Sequence, residues 1–203
     1  MKVFKIVSNY LESNTFILSK YGKAIIIDAG AEIEEVKKAT SDLKVVAVFL
    51  THGHFDHALN AVSYSKEFGC KVYINEKGKR ALENSEYNYG EGFKVEDFSN
   101  FVFLSGDGKI EIEGFEVKYY HCPGHSECLN SYLIEDELFV GDCIFRKGIG
   151  RCDLITSNKK EMLGSLKKLL KIKYKNCHSG HYEDSDYEAM NKNIKVYIKY
   201  FSR

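Results

Sequence analysis

The sequence predicts an α/β sandwich in which helices cover β structure from outside, and three observations indicate it. Segments with strand character alternate with helical ones along the 203 residues. Each half of the chain begins with β structure and continues into helix. No low-complexity stretch or linker separates the halves, and this length is enough for one sizeable core. We therefore expect a single layered domain spanning residues 1–203.

The first half is predicted to open with a β-hairpin. Apolar runs at 14–18 and 24–27 flank a turn at 20–23. Apolar residues near helical spacing between 33 and 43 predict a helix. The continuous apolar run at 45–50 is typical of a strand buried on both faces. This strand leads directly into a histidine-rich segment.

Helical and extended segments continue to alternate in the remainder of the chain. A helix is expected from Asp56 to Phe68, closed by Gly69, and a strand at 71–74 completes a βαβ-like step. Two further hairpins are expected, at 110–119 and 131–140. Two helices follow them. One lies around 162–170, and the other opens with the capping-box pattern Ser185-x-x-Glu188.

The composition limits the classes of partner. The 29 basic residues balance the 29 acidic ones, so there is no global positive field to attract nucleic acid. Residues 1–10 lack the apolar run of a signal peptide, and no run has membrane length, so we expect no membrane partner and a cytoplasmic location. In a reducing compartment the six cysteines are expected to be free thiols.

The seven histidines fall in three short clusters. In the first, His52 and His54 would lie on one side of an extended segment, because side chains alternate along it. Asp56 and His57 follow where the chain turns into helix, and they could serve a second ion. Three histidines and one aspartate within six residues exceed any packing need, so this segment predicts a metal site.

The other clusters offer additional ligands. The only proline, Pro123, indicates a rigid loop that presents His125, and Gly180 permits close backbone approach beside His181. Between these clusters, Asp142 ends a strand, and its carboxylate could bridge two ions. Taken alone, His121 and His178 are the kind of isolated histidine that is usually a surface or core residue.

The segment Thr-His-Gly-His-Phe-Asp-His at 51–57 resembles the signature of the metallo-β-lactamase superfamily. Segments 26–30, 122–126, 139–142 and 180–181 agree with the family in order, so the resemblance spans nearly the whole chain. It implies a four-layer αββα sandwich with a metal site at one edge, where strand ends converge.

The resemblance also implies a division of ligands between two divalent metal ions. One ion would be held by His52, His54 and His125, the other by Asp56, His57 and His181, with Asp142 shared. Asp28 would support these ligands at most. The last loop departs from the family, because Ser179-Gly180-His181-Tyr182 stands where Pro-Gly-His-Gly is usual, which leaves the shape of that loop open.

Such a site is suited to hydrolysis. Imidazole and carboxylate ligands suit zinc, iron or manganese, and we expect zinc. The absence of cysteine among the ligands argues against a structural thiolate site. A metal-bound water ionises at a pKa of about 7 instead of about 15.7, which supplies a hydroxide nucleophile at neutral pH. Asp142 would bridge the ions, and Asp56 would hold the hydroxide or manage its proton, so both are expected to be catalytic.

The segments 141–145 and 148–153 are similar to short bacterial glyoxalase II-like hydrolases, which cleave hydroxyacyl-glutathione thioesters. The similarity implies a small acyl-thiol substrate. Arg151 could pair with a substrate carboxylate, and Tyr182, with Tyr87 and Tyr89, could line the cleft. Full-length glyoxalase II binds glutathione with a helical C-terminal domain that is not expected here. The thiol part of the substrate could therefore be a thiol other than glutathione.

Other functions of the same fold stay open at this stage. A persulfide dioxygenase would use one iron held by His52, His125 and Asp142. A nuclease would need a basic surface that the neutral chain does not supply. A lactonase would share the metal ligands. A β-lactamase would act outside the cell, which disagrees with the expected cytoplasmic location. A non-enzymatic metal store would not need every ligand position filled. The sequence does not indicate an oligomeric state.

Overall fold

The computed structural model describes residues 1–202, so Arg203, the last residue of the expected domain, lies outside the described part. Two six-stranded sheets form the centre. The strands are β1 Lys2–Val7, β2 Asn14–Lys20, β3 Lys23–Ile27, β4 Lys44–Phe49, β5 Lys71–Asn75, β6 Phe101–Leu104, β7 Gly108–Ile112, β8 Phe115–His121, β9 Asn130–Ile134, β10 Glu137–Gly141, β11 Asn176–Ser179 and β12 Ser185–Asp186.

The helices lie between these strands and after them. They are α1 Ile33–Ala39, α2 Phe55–Ala58, α3 Ala61–Phe68, α4 Gly78–Glu83, α5 Ser85–Asn88, α6 Lys159–Leu169 and α7 Tyr187–Phe201. Within residues 1–202, no helix combines the length and the apolar character that crossing a bilayer requires. The expected cytoplasmic location stays a prediction.

The strand order separates the two halves of the chain. The first sheet runs β1-β2-β3-β4-β5-β6 and the second β12-β11-β10-β9-β8-β7. The β3–β4, β4–β5 and β5–β6 pairs are parallel, as is β10–β11, and the other pairs are antiparallel. Because the carboxyl ends of β4 and of the parallel pair β10–β11 reach the same edge, the loops that follow them can meet there.

Alternating side chains divide the interior into layers. In β3, Ile25 and Ile27 pack between the two sheets, whereas Ile26 faces the helices that cover the first sheet. In β10, Phe139 points between the sheets and Leu138 faces α6 and α7. The central strands of both sheets are therefore buried on both faces, and the predicted four-layer αββα sandwich is confirmed.

Most predicted elements are present, including the hairpin β2–β3, the buried strand β4 and the hairpins β7–β8 and β9–β10. All six cysteines are free thiols, as expected. The sequence patterns missed β1, β6, α4, α5, β11 and β12, which are short or placed at the sheet margins.

Two details of the helix predictions were wrong. The helix expected over 56–68 is divided, because the backbone N–H of Asn60 donates to Ala29 O at 2.9 Å instead of continuing the helical ladder. The last helix is capped by Asp186, whose Oδ1 accepts from the N–H of Ala189 at 2.8 Å. Ser185 is not its cap, because it pairs with Cys177 in the sheet.

Candidate metal centre

The predicted ligands converge at the edge of the sandwich where β4, β10 and β11 end. His52 and His54 follow β4, and Asp56 and His57 lie in the first turn of α2. His125 comes from the loop between β8 and β9, Asp142 follows β10 and His181 follows β11. Six of these seven side chains are buried, and only His181 is partly exposed.

One group of donors contains His52, His54 and His125. Nδ1 of His54 lies 3.0 Å from Nε2 of His125, and a ligand atom from each of the three residues lies within 4.8 Å of the others. Neutral imidazole nitrogens gathered at this spacing could hold one cation. The structure thus brings together the set predicted for the first ion.

A second group contains Asp56, His57 and His181. Oδ2 of Asp56 lies 3.3 Å from Nε2 of His57 and also 3.3 Å from Nε2 of His181. The two Nε2 atoms are themselves 3.3 Å apart. This set could hold another cation, as predicted for the second ion.

Asp142 stands between the two groups. Its Oδ2 lies 3.5 Å from Nε2 of His125 and 3.4 Å from Nε2 of His181, while its Oδ1 lies 3.5 Å from Nε2 of His57. One carboxylate therefore reaches donors of both groups. This is the placement that a bridging ligand requires.

The donors fit a pair of divalent cations. Nε2 of His52 and Oδ1 of Asp142 are buried and have no hydrogen-bond partner within residues 1–202. Buried polar atoms are nearly always paired, so two orphaned atoms aimed into one cluster indicate a cationic partner. The donors are nitrogen and oxygen without thiolate, a set that suits zinc, iron or manganese. The clusters are compatible with a binuclear metal site.

Hydrogen bonds to the ring nitrogens that face away from the donor cluster orient His52 and His57. Asp28 accepts from the N–H and Oγ1 of Thr51 at 2.6 and 2.8 Å and from Nδ1 of His57 at 2.9 Å. Since Oγ1 of Thr51 gives its proton to Asp28, it accepts from Nδ1 of His52, 3.0 Å away. These hydrogen bonds occupy Nδ1 of both imidazoles, so Nε2 is the atom that each ring presents to the cluster.

His125 is oriented by the backbone. Its Nδ1 donates to the carbonyl oxygen of Arg151 at 3.1 Å, which leaves Nε2 as the donor atom toward the cluster. Gly180 allows the last ligand loop to approach closely, because a Cβ at this position would overlap Oδ1 of Asp142 and lie 2.7 Å from Cε1 of His57.

Burial and neighbouring charges set the protonation of the cluster. Burial lowers the pKa of His52 well below its ordinary value and that of His54 to about 3. Burial would raise the pKa of Asp142, but the imidazoles of His57, His181 and His125 outweigh it and lower the pKa to about 2. The first group thus presents neutral imidazoles, which is the form that binds metals, beside an ionised carboxylate.

The two residues predicted to bind substrate lie at the rim. The guanidinium of Arg151 is exposed and pairs with Asp153, Nε to Oδ1 at 2.9 Å and Nη2 to Oδ2 at 3.0 Å. A substrate carboxylate would therefore have to compete with Asp153. Tyr182 directly follows His181, and this residue is 68% exposed. Both assignments to the substrate stay predictions.

Of the other tyrosines considered, only Tyr89 reaches the donor cluster. Its ring centroid lies 5.1 Å from that of His54 at an interplanar angle of 85°, and its hydroxyl accepts from the N–H of Ile155 at 2.7 Å. Tyr87 instead lies under the guanidinium of Arg80, 4.7 Å from the ring centroid.

The remaining histidines lie outside the donor groups. Nε2 of His121 is 2.8 Å from Glu127 O, and Nε2 of His178 is 2.7 Å from Oε2 of Glu137. Sequence reasoning missed Phe145, whose ring packs 6.2 Å from that of His181. Its position three residues after Asp142 was the available signal.

The donor residues lie within a segment that is similar to a known protein family. The profile of the Metallo-beta-lactamase superfamily matches residues 9–181, which include every donor described above. The chain belongs to this superfamily. Among relatives of this metallo-β-lactamase superfamily member, the probable metallo-hydrolase YqgX of Bacillus subtilis (strain 168) is 30% identical over 185 residues, covering 87% of this chain and 88% of that protein. Together, the family and this relative support a metal-dependent hydrolase as the general class.

A more distant relative and two solved structures complete the comparison. The hydroxyacylglutathione hydrolase GloC of Haemophilus influenzae is 26% identical over 175 residues, 82% of each chain. The crystal structure of BLEG-1, a B3 metallo-beta-lactamase, aligns with a TM-score of 0.87 at 25% identity over 100% of both chains. TTHA1623 in a di-iron-bound form aligns with a TM-score of 0.76 at 25% identity, covering 90% of this chain and 94% of that one.

Proposed function

We propose that this superfamily member is a binuclear hydrolase that cleaves a thioester of a small acyl-thiol. The observation that carries the proposal is the position of Asp142 between two complete donor groups, with an oxygen within 3.5 Å of His125 on one side and of His57 on the other. A site built for a single ion would not need the second group.

The chemistry would be divided between bound ions and the side chains of the chain. Divalent ions held in the two groups would lower the pKa of a coordinated water to about 7 and polarise the attacked carbonyl. Oδ2 of Asp56 lies 3.3 Å from Nε2 of His57 and of His181, and from this position Asp56 would hold the attacking water or manage its proton.

The cysteines are unsuited to act as the nucleophile. Cys143 directly follows Asp142, but burial raises the pKa of its thiol well above the ordinary value, so the thiol stays protonated near neutral pH. Cys128 is also buried, and burial likewise raises its pKa. Attack by water rather than by a side chain is therefore the route that the site supports.

Two observations support a thioester substrate. GloC is named as a hydroxyacylglutathione hydrolase, and the segment from Gly148 to Asp153 is similar to short glyoxalase II-like enzymes. Zinc is the metal that we favour, with iron or manganese as alternatives, and TTHA1623 is a neighbour of similar fold with two irons. We propose a cytoplasmic enzyme acting on small molecules, with no nucleic-acid or membrane partner.

The decisive experiment combines a metal count with parallel assays. The purified protein would be measured for metal by mass spectrometry and assayed with thioester, lactone, phosphodiester and persulfide substrates. We expect two metals per chain and thioester cleavage, both lost in Asp142→Ala. His121→Gln is the matched control, since His121 lies outside the donor groups. One iron per chain with oxygen consumption on a persulfide would favour the dioxygenase instead.

A further inference from the structure

A side cavity of about 450 Å³ opens beside the second donor group. Phe145, Ile149 and Tyr182 supply its apolar surface, and Arg146, Lys147 and Glu183 supply charges at its rim. A volume of this size is within the range of small-molecule binding sites, which are mostly apolar with a few polar groups that fix orientation. The donor groups themselves do not line this cavity.

The side cavity is nevertheless adjacent to the metal centre. The ring of Phe145 lies 6.2 Å from that of His181 and 5.3 Å from that of Tyr182, edge-on in both cases. Phe145 therefore separates the side cavity from the second donor group by the width of one side chain. A molecule bound at the metal centre could extend an arm past Phe145 into the side cavity.

The loop that forms one wall is held in place from a distant helix. Nδ2 of Asn193, in α7, donates to the carbonyl oxygens of Phe145 at 2.8 Å and Gly148 at 3.0 Å. A β-bridge between Ile144 and Ile149 closes the base of the loop. These contacts preorganise the wall, which reduces the entropy that a ligand must remove.

The opposite wall is held in the same manner. The carbonyl oxygen of Tyr182 accepts from Nζ of Lys5 at 3.2 Å and from Nδ2 of Asn14 at 3.1 Å. Tyr182 has a left-handed φ of 64°, and the residue is 68% exposed. A left-handed φ is unfavourable for a bulky residue, and an exposed residue recovers little of that free energy by burial. Backbone strain of this kind is concentrated at functional sites.

The charges at the rim favour an anion. Nη1 of Arg146 pairs with Oε2 of Glu183 at 2.7 Å, and the two charges neutralise each other. Lys147 forms no ion pair within residues 1–202, so the rim keeps one positive charge at the mouth of an apolar space. A ligand arm with an apolar stem and an anionic end is complementary to this arrangement.

We propose that the side cavity binds the acyl group of the substrate and selects acyl chains that end in a carboxylate, which pairs with Lys147. This inference rests on the proposed thioesterase function. In the reaction, water adds its oxygen to the acyl carbon, the carbon–sulfur bond breaks, and the thiol leaves with a proton. The product is a dicarboxylic acid, and no oxidant or reductant is consumed.

The kinetic test compares two thioesters of one neutral thiol, S-adipyl- and S-hexanoyl-N-acetylcysteamine. They share chain length and differ in the terminal carboxylate. We expect kcat/KM to favour the adipyl thioester about fivefold, the upper range for an exposed ion pair. Lys147→Glu should abolish or reverse this preference. Lys38→Glu makes the same charge change on an exposed, remote helix and should preserve it.

A binding measurement separates the side cavity from the proposed reaction. Binding of adipate and hexanoate to chelator-treated, metal-free protein would be followed by nuclear magnetic resonance. We expect adipate to bind more tightly than hexanoate, and Lys147→Glu to remove the difference. Equal binding of the two acids, or unchanged adipate binding in Lys147→Glu, would overturn the side-cavity proposal. Absence of thioester cleavage, with adipate selectivity intact, would instead overturn the proposed function alone.

Discussion

The carboxylate of Asp28 accepts a hydrogen bond from Nδ1 of His57 at 2.9 Å, and both side chains are almost completely buried. Asp28 has a left-handed φ of 62° at the end of β3, which directs its side chain toward the start of α2. It also receives two hydrogen bonds from Thr51. One buried anion therefore orients a donor of the second group directly and a donor of the first group through Thr51.

Replacing Asp28 with asparagine should weaken metal binding without changing the donors. The amide keeps the shape but loses the negative charge that fixes the His57 tautomer, and loss of such supporting contacts typically costs 10- to 100-fold in metal affinity, so we expect about that loss here. Metal content after dialysis against graded chelator would measure it. Asp42→Asn, on the exposed surface, is the control. Unchanged metal retention in Asp28→Asn would contradict the orienting role.

Thr51 provides a second test of the same network. Thr51→Val removes the hydroxyl between Asp28 and Nδ1 of His52, which leaves buried polar atoms unpaired. We expect a loss of roughly 1–3 kcal/mol in the free energy of unfolding, together with weaker metal binding. Thr51→Ser keeps the hydroxyl and should restore most of both. If serine behaves like valine, the methyl group and not the hydroxyl is what matters.

A methyl group at Gly180 should disrupt the centre sterically. In Gly180→Ala the new Cβ would overlap Oδ1 of Asp142 and crowd His57. Overpacking of this kind costs about 1–3 kcal/mol, and we expect metal occupancy and activity to fall together. Chemical denaturation and a metal count would measure both effects.

Gly164→Ala is the matched control for Gly180→Ala. Gly164 lies within α6, and a Cβ there would meet nothing within 4 Å. Because alanine is a better helix former than glycine, this variant should gain up to about 1 kcal/mol. Its activity should be unchanged. Similar behaviour of the two variants would show that crowding at Asp142 is not the cause.

Removing bound metal should lower the thermal stability of the whole chain. Cations held by the buried carboxylates and imidazoles of the donor groups would bind only the folded state and so stabilise it. At free metal a thousandfold above Kd, one site contributes about 4 kcal/mol. For a chain of this size the melting temperature should then fall by roughly 8–16 °C after chelation and recover when zinc is added. Equal melting temperatures with and without metal would argue against cations in the cluster.

One cysteine should react with alkylating reagents in the folded protein. Five of the six cysteines are buried, and Cys152 is partly exposed. Burial also raises the pKa of Cys152, so its thiolate fraction at a given pH is lower than that of a free cysteine. Labelling should therefore be slow at neutral pH and accelerate as the pH rises through the raised pKa. Mass spectrometry should show one adduct before denaturation and none in Cys152→Ser.

Local patterns were sufficient for much of the fold. The hairpin β2–β3 and the buried strand β4 follow from apolar runs with clear turn residues between them. The division of the helix at Asn60 did not follow, because it depends on a hydrogen bond to Ala29, which is distant in sequence. The edge strands β1 and β12 are stabilised by pairing with neighbours more than by their own residue pattern.

The sequence by itself determined which donors this protein has: their types, the alternation that places His52 and His54 together, and the family to which the motifs belong. The tertiary structure alone decided that Asp142 lies between the groups, that Asp28 and Thr51 orient the imidazoles, and that Phe145 and Tyr182 bound a cavity beside His181. The physical reason is that chain spacing sets which side chains share a face of one element. Distances between elements arise only when the sheets and helices pack around a common core.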